Sequence, residues 1–220
     1  MWSTATGEHL LLEGGVSVSF FDEALEAGDA SLQPAQLYAR PTDRGPHPEP
    51  PRDWVIPTIV PLGRRLAQSA SAVVCLDAVQ CWPEGLSLSI RPLMRRARGL
   101  HGVPPSRLAP SSEGLHIGVV FADGRRAAYV DGGSVGAQLR QRSEREPVLV
   151  MGVGSMWGQF HRMVELYLSP LPPEGPLTVV VQWLEHDIGE TRFELDTAPL
   201  RAAAASVTDV WPDLPLAPAD

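Results

Sequence analysis

The segment Glu185-His186-Asp187-Ile188-Gly189-Glu190 places three carboxylates and one imidazole in a single short run. Oxygen and nitrogen donors of this kind suit a hard or borderline metal ion, and a histidine beside a carboxylate can act as a general base. Glu185, His186 and Asp187 are the weak candidates for metal ligation, and His186, Asp187 and Glu190 those for catalysis. Two features count against both roles. No second histidine lies at ligand spacing, and the segment falls where one strand should turn into the next, a place where solvated charges gather. A hydrolase centred here would need His116 or His161 brought beside it by the fold. The plainer reading is a polar turn, and no cofactor is expected.

Other chemistry-bearing patterns are weaker. Gly152, Gly154 and Gly158 form G-x-G-x-x-x-G, one residue away from the dinucleotide fingerprint, but a strand-like segment follows where a phosphate site needs a helix N-terminus. Ser134 sits in a glycine-rich loop without the strand–helix elbow of a serine nucleophile. Arg91, Arg95, Arg96 and Arg98 form a basic cluster with no interleaved aromatic residue, so it fits a charged edge or an acidic protein partner better than nucleic acid. Met156, Trp157 and Phe160 are large apolar residues in a glycine-containing stretch. Exposed, they would form an interaction surface or, through Trp157, a platform for a small ligand or carbohydrate; packed, they would be core.

The bulk numbers narrow the classes. The chain has 220 residues and a net charge of −8, and all 18 of its basic residues are arginine. Absence of lysine removes Schiff-base and P-loop lysine chemistry. The negative charge disfavours nucleic acid or an anionic membrane as the main partner. Cys75 and Cys81, six apart on one apolar run, would stand roughly 20 Å apart on an extended strand, so they are expected to be buried reduced thiols. No basic leader or long apolar span is visible, which makes the cytoplasm the expected compartment.

The elements that would position these residues are strands. Residues 1–39 read as a hairpin or arm, with apolar runs Leu10–Leu12 and Val16–Phe21 around Gly14-Gly15. Residues 40–53 are proline-rich and read as a linker, 54–212 as the main domain and 213–220 as a loose tail. Pro57 and Pro61 suit an edge strand, whereas 71–81 is apolar on both faces and suits a central one. Leu86, Leu88 and Ile90 alternate, as do Val164, Leu166 and Leu168, and again Leu177, Val179, Val181 and Trp183. Asp123-Gly124 suits a tight primed turn. Pro170-Leu171-Pro172-Pro173 is a P-x-x-P, but it stands between two strands beside Glu174, so it reads as a stiff corner and not as a ligand for a partner domain. Asp196 or Thr197 can cap a short helix through the alanine run, and Trp211 is expected to pack. About eight strands at roughly 8–12-residue spacing, with one short C-terminal helix and an N-terminal hairpin extension, predict a mainly β, Ig-like antiparallel sandwich.

Over residues 54–212, "FADGRRA", the glycine-rich stretch, "SPLPPEGPLTVVVQW", "DIGETRFELD" and the alanine-rich helix resemble a family of uncharacterised proteins from high-GC Gram-positive bacteria. Members of that family carry a longer glycine run and a Trp-Pro pair before the proline corner; here the run is "GVGSMWG" and Ser169 precedes the first proline. The resemblance implies the architecture and carries over no catalytic residue. Missing motifs and expected fold together point to a non-catalytic cytoplasmic sandwich that acts as a protein-interaction or assembly subunit. Its contacts would be a protein partner or a second copy, through Met156, Trp157, Phe160, Arg95, Arg96 and Arg98. The alternatives are the hydrolase or metal-dependent enzyme and the small-molecule or carbohydrate module named above.

Overall fold

A computed structural model describes residues 50–96, 114–130, 146–152, 156–157 and 160–213. All of them belong to one compact unit, Ala39–Asp220. The expected N-terminal hairpin at 1–39, most of the 40–53 linker, Ser134, Gly154, Gly158, Arg98 and nearly all of the 213–220 tail lie outside the described residues.

The protein is mainly β, with antiparallel sheets and one α-helix among the described residues. The strands are β1 (Val55–Ile56), β2 (Thr58–Gln68), β3 (Ala72–Trp82), β4 (Gly85–Met94), β5 (Leu115–Val120), β6 (Arg126–Val130), β7 (Val148–Met151), β8 (Met156–Trp157), β9 (Arg162–Ser169), β10 (Pro176–Trp183), β11 (Ile188–Asp196) and β12 (Thr208–Asp209). Helix α1 spans Thr197–Ala205. One sheet has the order β2-β3-β4-β9-β7, with β8 also paired to β9; the second has the order β11-β10-β5-β6; β1 and β12 form a two-stranded ribbon. Three successive strands, β2, β3 and β4, meander within one sheet. An immunoglobulin order would send the third to the opposite sheet, so the likeness is one of two-sheet architecture and not of this connection.

Alternation explains the packing. Leu86, Leu88 and Ile90 of β4 and Val164, Leu166 and Leu168 of β9 face Ile117 and Val119 of β5 and Leu177, Val179 and Val181 of β10 in one shared core. Each of these side chains is at most 1% exposed. Burying a large aliphatic side chain contributes about 1.5–3 kcal/mol, so this double row is the main source of stability. Helix α1 adds Leu200, Ala203 and Ala204 to the same core and packs over β2 and β3.

The outer face of the larger sheet has its own small cluster: Val55, Trp82, Val150 and Tyr167, with Trp54, Val148 and Val207 against it. The β1–β12 ribbon supplies its cover. Arg52, at the end of the proline-rich stretch, is ion-paired with Glu165 of β9 and stands 6.0 Å over the Trp82 ring. Trp211, expected to pack, is 53% exposed: the last backbone bond of the ribbon runs from Val210 N to Trp54 O, and the next residue projects beyond it.

Three local features refine the expectations. The edge assignment for the Pro61 segment holds, since β2 ends the larger sheet and its register shifts after Pro61. The β5–β6 connection is not a two-residue primed turn. Gly124 N donates to Phe121 O and only Gly124 has positive φ, +86°, so the hairpin uses a three-residue loop ending in a glycine bulge. Asp123 accepts from Arg125 N at 3.0 Å instead of adopting the left-handed region. The proline corner packs internally. Arg201 donates to Pro172 O at 2.7 Å, and the Thr197 hydroxyl lies 2.6 Å from Gly175 O and 3.1 Å from Pro173 O. Carbonyls that a P-x-x-P ligand would offer to a partner are bonded to α1.

Candidate functional site

The chemistry-bearing residues gather at one end of the sandwich, and Ser71 shows how. It lies in the Ser69–Ser71 connection between β2 and β3. Its carbonyl accepts from Arg95 N at 2.8 Å, at the end of β4. Its hydroxyl lies 3.2 Å from His186 Nδ1 and 3.3 Å from His186 O, in the β10–β11 turn. One residue before Arg95, Met94 N donates to Phe160 O at 2.8 Å, just ahead of β9. The 184–187 turn, the arginines and the Met-Phe segment, widely separated in sequence, thus meet at the same edge of the fold.

Within that end, the turn residues hold structure. Leu184–His186 form one 3-10 turn. Asp187 adopts the left-handed region at φ 57°, ψ 29° and donates its N–H to Leu184 O at 3.0 Å. Aspartate tolerates that conformation better than most residues, which accounts for its place there. The His186 ring meets Trp183 edge-on at 4.0 Å between centroids. Glu185 is exposed in the same turn, and Glu190 pairs with Arg192 at 2.9 Å on β11.

The two histidines, of which a hydrolase would require one, face outward from the two sheets. His116 sits opposite Gln182 and Val130, alternating with the core residues Leu115 and Ile117, so it faces outward on the smaller sheet. His161 bridges Leu93 and faces outward on the larger one. The two occupy opposite outer faces of the sandwich. Among the described residues, no group of three or more His, Cys, Asp or Glu is arranged to hold a metal ion.

The apolar and arginine candidates do converge. Met156 pairs with Met163 and Trp157 with Arg162, which brings β8 onto the start of β9. Met156 is 62% exposed, Phe160 50% and Met163 36%. Arg95 and Arg96 are exposed beside them. Arg98 and the Trp157 side chain lie outside the described residues. The register from Ile90↔Val164 to Leu93↔His161 sets Arg91 against Met163 on the same outer face. Arg91 is paired with Asp77 at 2.8 Å. The exposed side chains of this region are therefore two paired methionines opposite Arg91, and Phe160 next to the backbone that carries Arg95.

Sequence reasoning missed Ser71, Met163 and Arg162. Met163 was accessible to it: with Val164, Leu166 and Leu168 facing inward, residue 163 must face outward. Arg162 follows the inward parity instead and is buried at the mouth of the core, donating to Tyr129 Oη at 3.2 Å. Nothing local to Arg162 marks a cation for that position. No protein-family model, curated protein or solved structure matches this chain.

Proposed function

We propose that the protein is a non-catalytic interaction or assembly subunit, and that the end of the sandwich formed by Met156, Phe160, Met163, Arg95 and Arg96 is its docking surface. The observation that carries this reading is the juxtaposition itself. Met156 and Met163 are paired across β8 and β9 and exposed, Phe160 is exposed just ahead of β9, and Arg95 and Arg96 are exposed just after β4. Apolar side chains exposed singly are ordinary on a protein surface, whereas a contiguous group rimmed by charge marks a contact site. Methionine and arginine are both favoured where partners bind.

Supporting arguments come from what the remaining groups already do. His186 bonds Ser71 and meets the Trp183 ring edge-on, Asp187 closes a turn, and Glu190 is paired with Arg192. The cytoplasm is the compartment this reading assumes. It is supported by the free thiols Cys75 and Cys81, which suit a reducing environment. No helix among the described residues is long and apolar enough to cross a membrane. A double substitution, Met156→Glu with Phe160→Glu, tests the assignment. Both residues are exposed, so the unfolding free energy is expected to change by less than about 0.5 kcal/mol. Association with the partner should be lost. Unaltered association in the double variant would remove this surface from the interaction.

A further inference from the structure

We infer that the occupant of this surface is an acidic segment of a partner protein that carries large apolar side chains; the inference rests on the docking reading above and names the chemistry of the partner. Charge complementarity is the argument. On the larger sheet, Arg52 and Arg91 are neutralised by Glu165 and Asp77, whereas Arg64 and Arg65 are exposed on its edge strand β2. Arg95 and Arg96 enter no ion pair among the described residues and remain exposed. They stand beside Phe160, because Met94, the residue before Arg95, is bonded directly to it. The whole chain carries a net charge of −8. Arg95 and Arg96 are the exposed cations at an end that also carries the exposed Glu185 and Asp187, and an acidic ligand would be attracted to the guanidinium groups. Thioether side chains adapt to irregular apolar partners, so Met156 and Met163 suit leucine or aromatic anchors placed between the acidic residues.

The test uses three fluorescein-labelled peptides of equal length with the same phenylalanine and leucine anchors. They differ only in their spacer residues, which are glutamate, lysine or serine. Fluorescence anisotropy is read against the full chain at low and high salt. The glutamate peptide is expected to bind saturably and at least about tenfold more tightly than the lysine peptide, with the advantage shrinking as salt screens it. Arg95→Glu with Arg96→Glu should reduce glutamate-peptide binding about tenfold or more, and Phe160→Ser should reduce it as well, with unfolding midpoints unchanged. Equal or tighter binding of the lysine peptide would overturn the acidic-partner inference and leave the docking reading intact. No saturable binding of any peptide would overturn both. A concentration-dependent dimer of the bare chain, abolished by the same arginine substitutions, would assign the surface to a second copy and overturn the separate partner.

Discussion

His186 shows how a residue suited to catalysis becomes a structural pin. Its Nδ1 lies 3.2 Å from the Ser71 hydroxyl and its ring packs on Trp183, so it ties the β10–β11 turn to the β2–β3 turn. His186→Ala is expected to cost about 1–2 kcal/mol of unfolding free energy, from the lost hydrogen bond and ring contact, as read by denaturant titration. Loss of metal uptake without loss of stability would restore the metal-site reading. The cysteines give a second test. Burial pushes the Cys81 thiol up from 9.0 to about 11. The folded state therefore holds a proton that the unfolded state releases. The contribution of Cys81 to stability is complete below pH 9 and falls as pH rises to 11. Cys81→Ala should flatten that part of the stability profile. In the native protein, a thiol reagent at neutral pH should modify half-buried Cys75 and spare Cys81 until unfolding. The sequence reading had both thiols buried. A bulge between Leu76 and Ala78 reverses the alternation, so that Val74 and Leu76 face inward before it and Val79 and Cys81 after it, leaving Cys75 on the outer face. Six residues apart on a regular strand, the two cysteines would share a face; no residue in "CLDAVQC" announces the inserted step.

At the scale of elements, strict alternation made β4, β9 and β10 legible, and their inward residues are the core. Composition at the ends made α1 legible: Asp196 accepts from Ala198 N at 3.0 Å, and the alanine run follows. The proline corner was legible as a corner, but its attachment to the helix was not, because that depends on Thr197 and Arg201, more than twenty residues downstream. Thr197 is 1% exposed. Thr197→Val keeps its shape and removes the donor to Gly175 O and Pro173 O, so it should cost about 1–2 kcal/mol. Chemical denaturation would show this as a lower midpoint with an unchanged slope. A neutral substitution would mean that the corner is held by its prolines alone. The β5–β6 turn was read one residue short for a related reason: Asp-Gly pairs serve both loop lengths, and only the bonds of the flanking strands distinguish them.

For the whole molecule, the two-sheet architecture followed from strand spacing, whereas the strand order did not, since pairings such as β4 with β9 link segments about seventy residues apart in the chain. The convergence of Arg95, Phe160 and His186 around Ser71 is likewise a product of tertiary structure. It unites the arginine and Met-Phe candidates and leaves the 184–187 turn as their support. The proposed engagement of another protein chain by this end of the sandwich is open to native mass spectrometry of the chain isolated gently from its own cells. The bare chain weighs 23.8 kDa. The expected species is heavier by at least one further protein chain and returns to the bare mass when Met156 and Phe160 are both replaced by glutamate. A wild-type chain found only at its bare mass, or carrying nothing but a metal ion or small molecule, would contradict it.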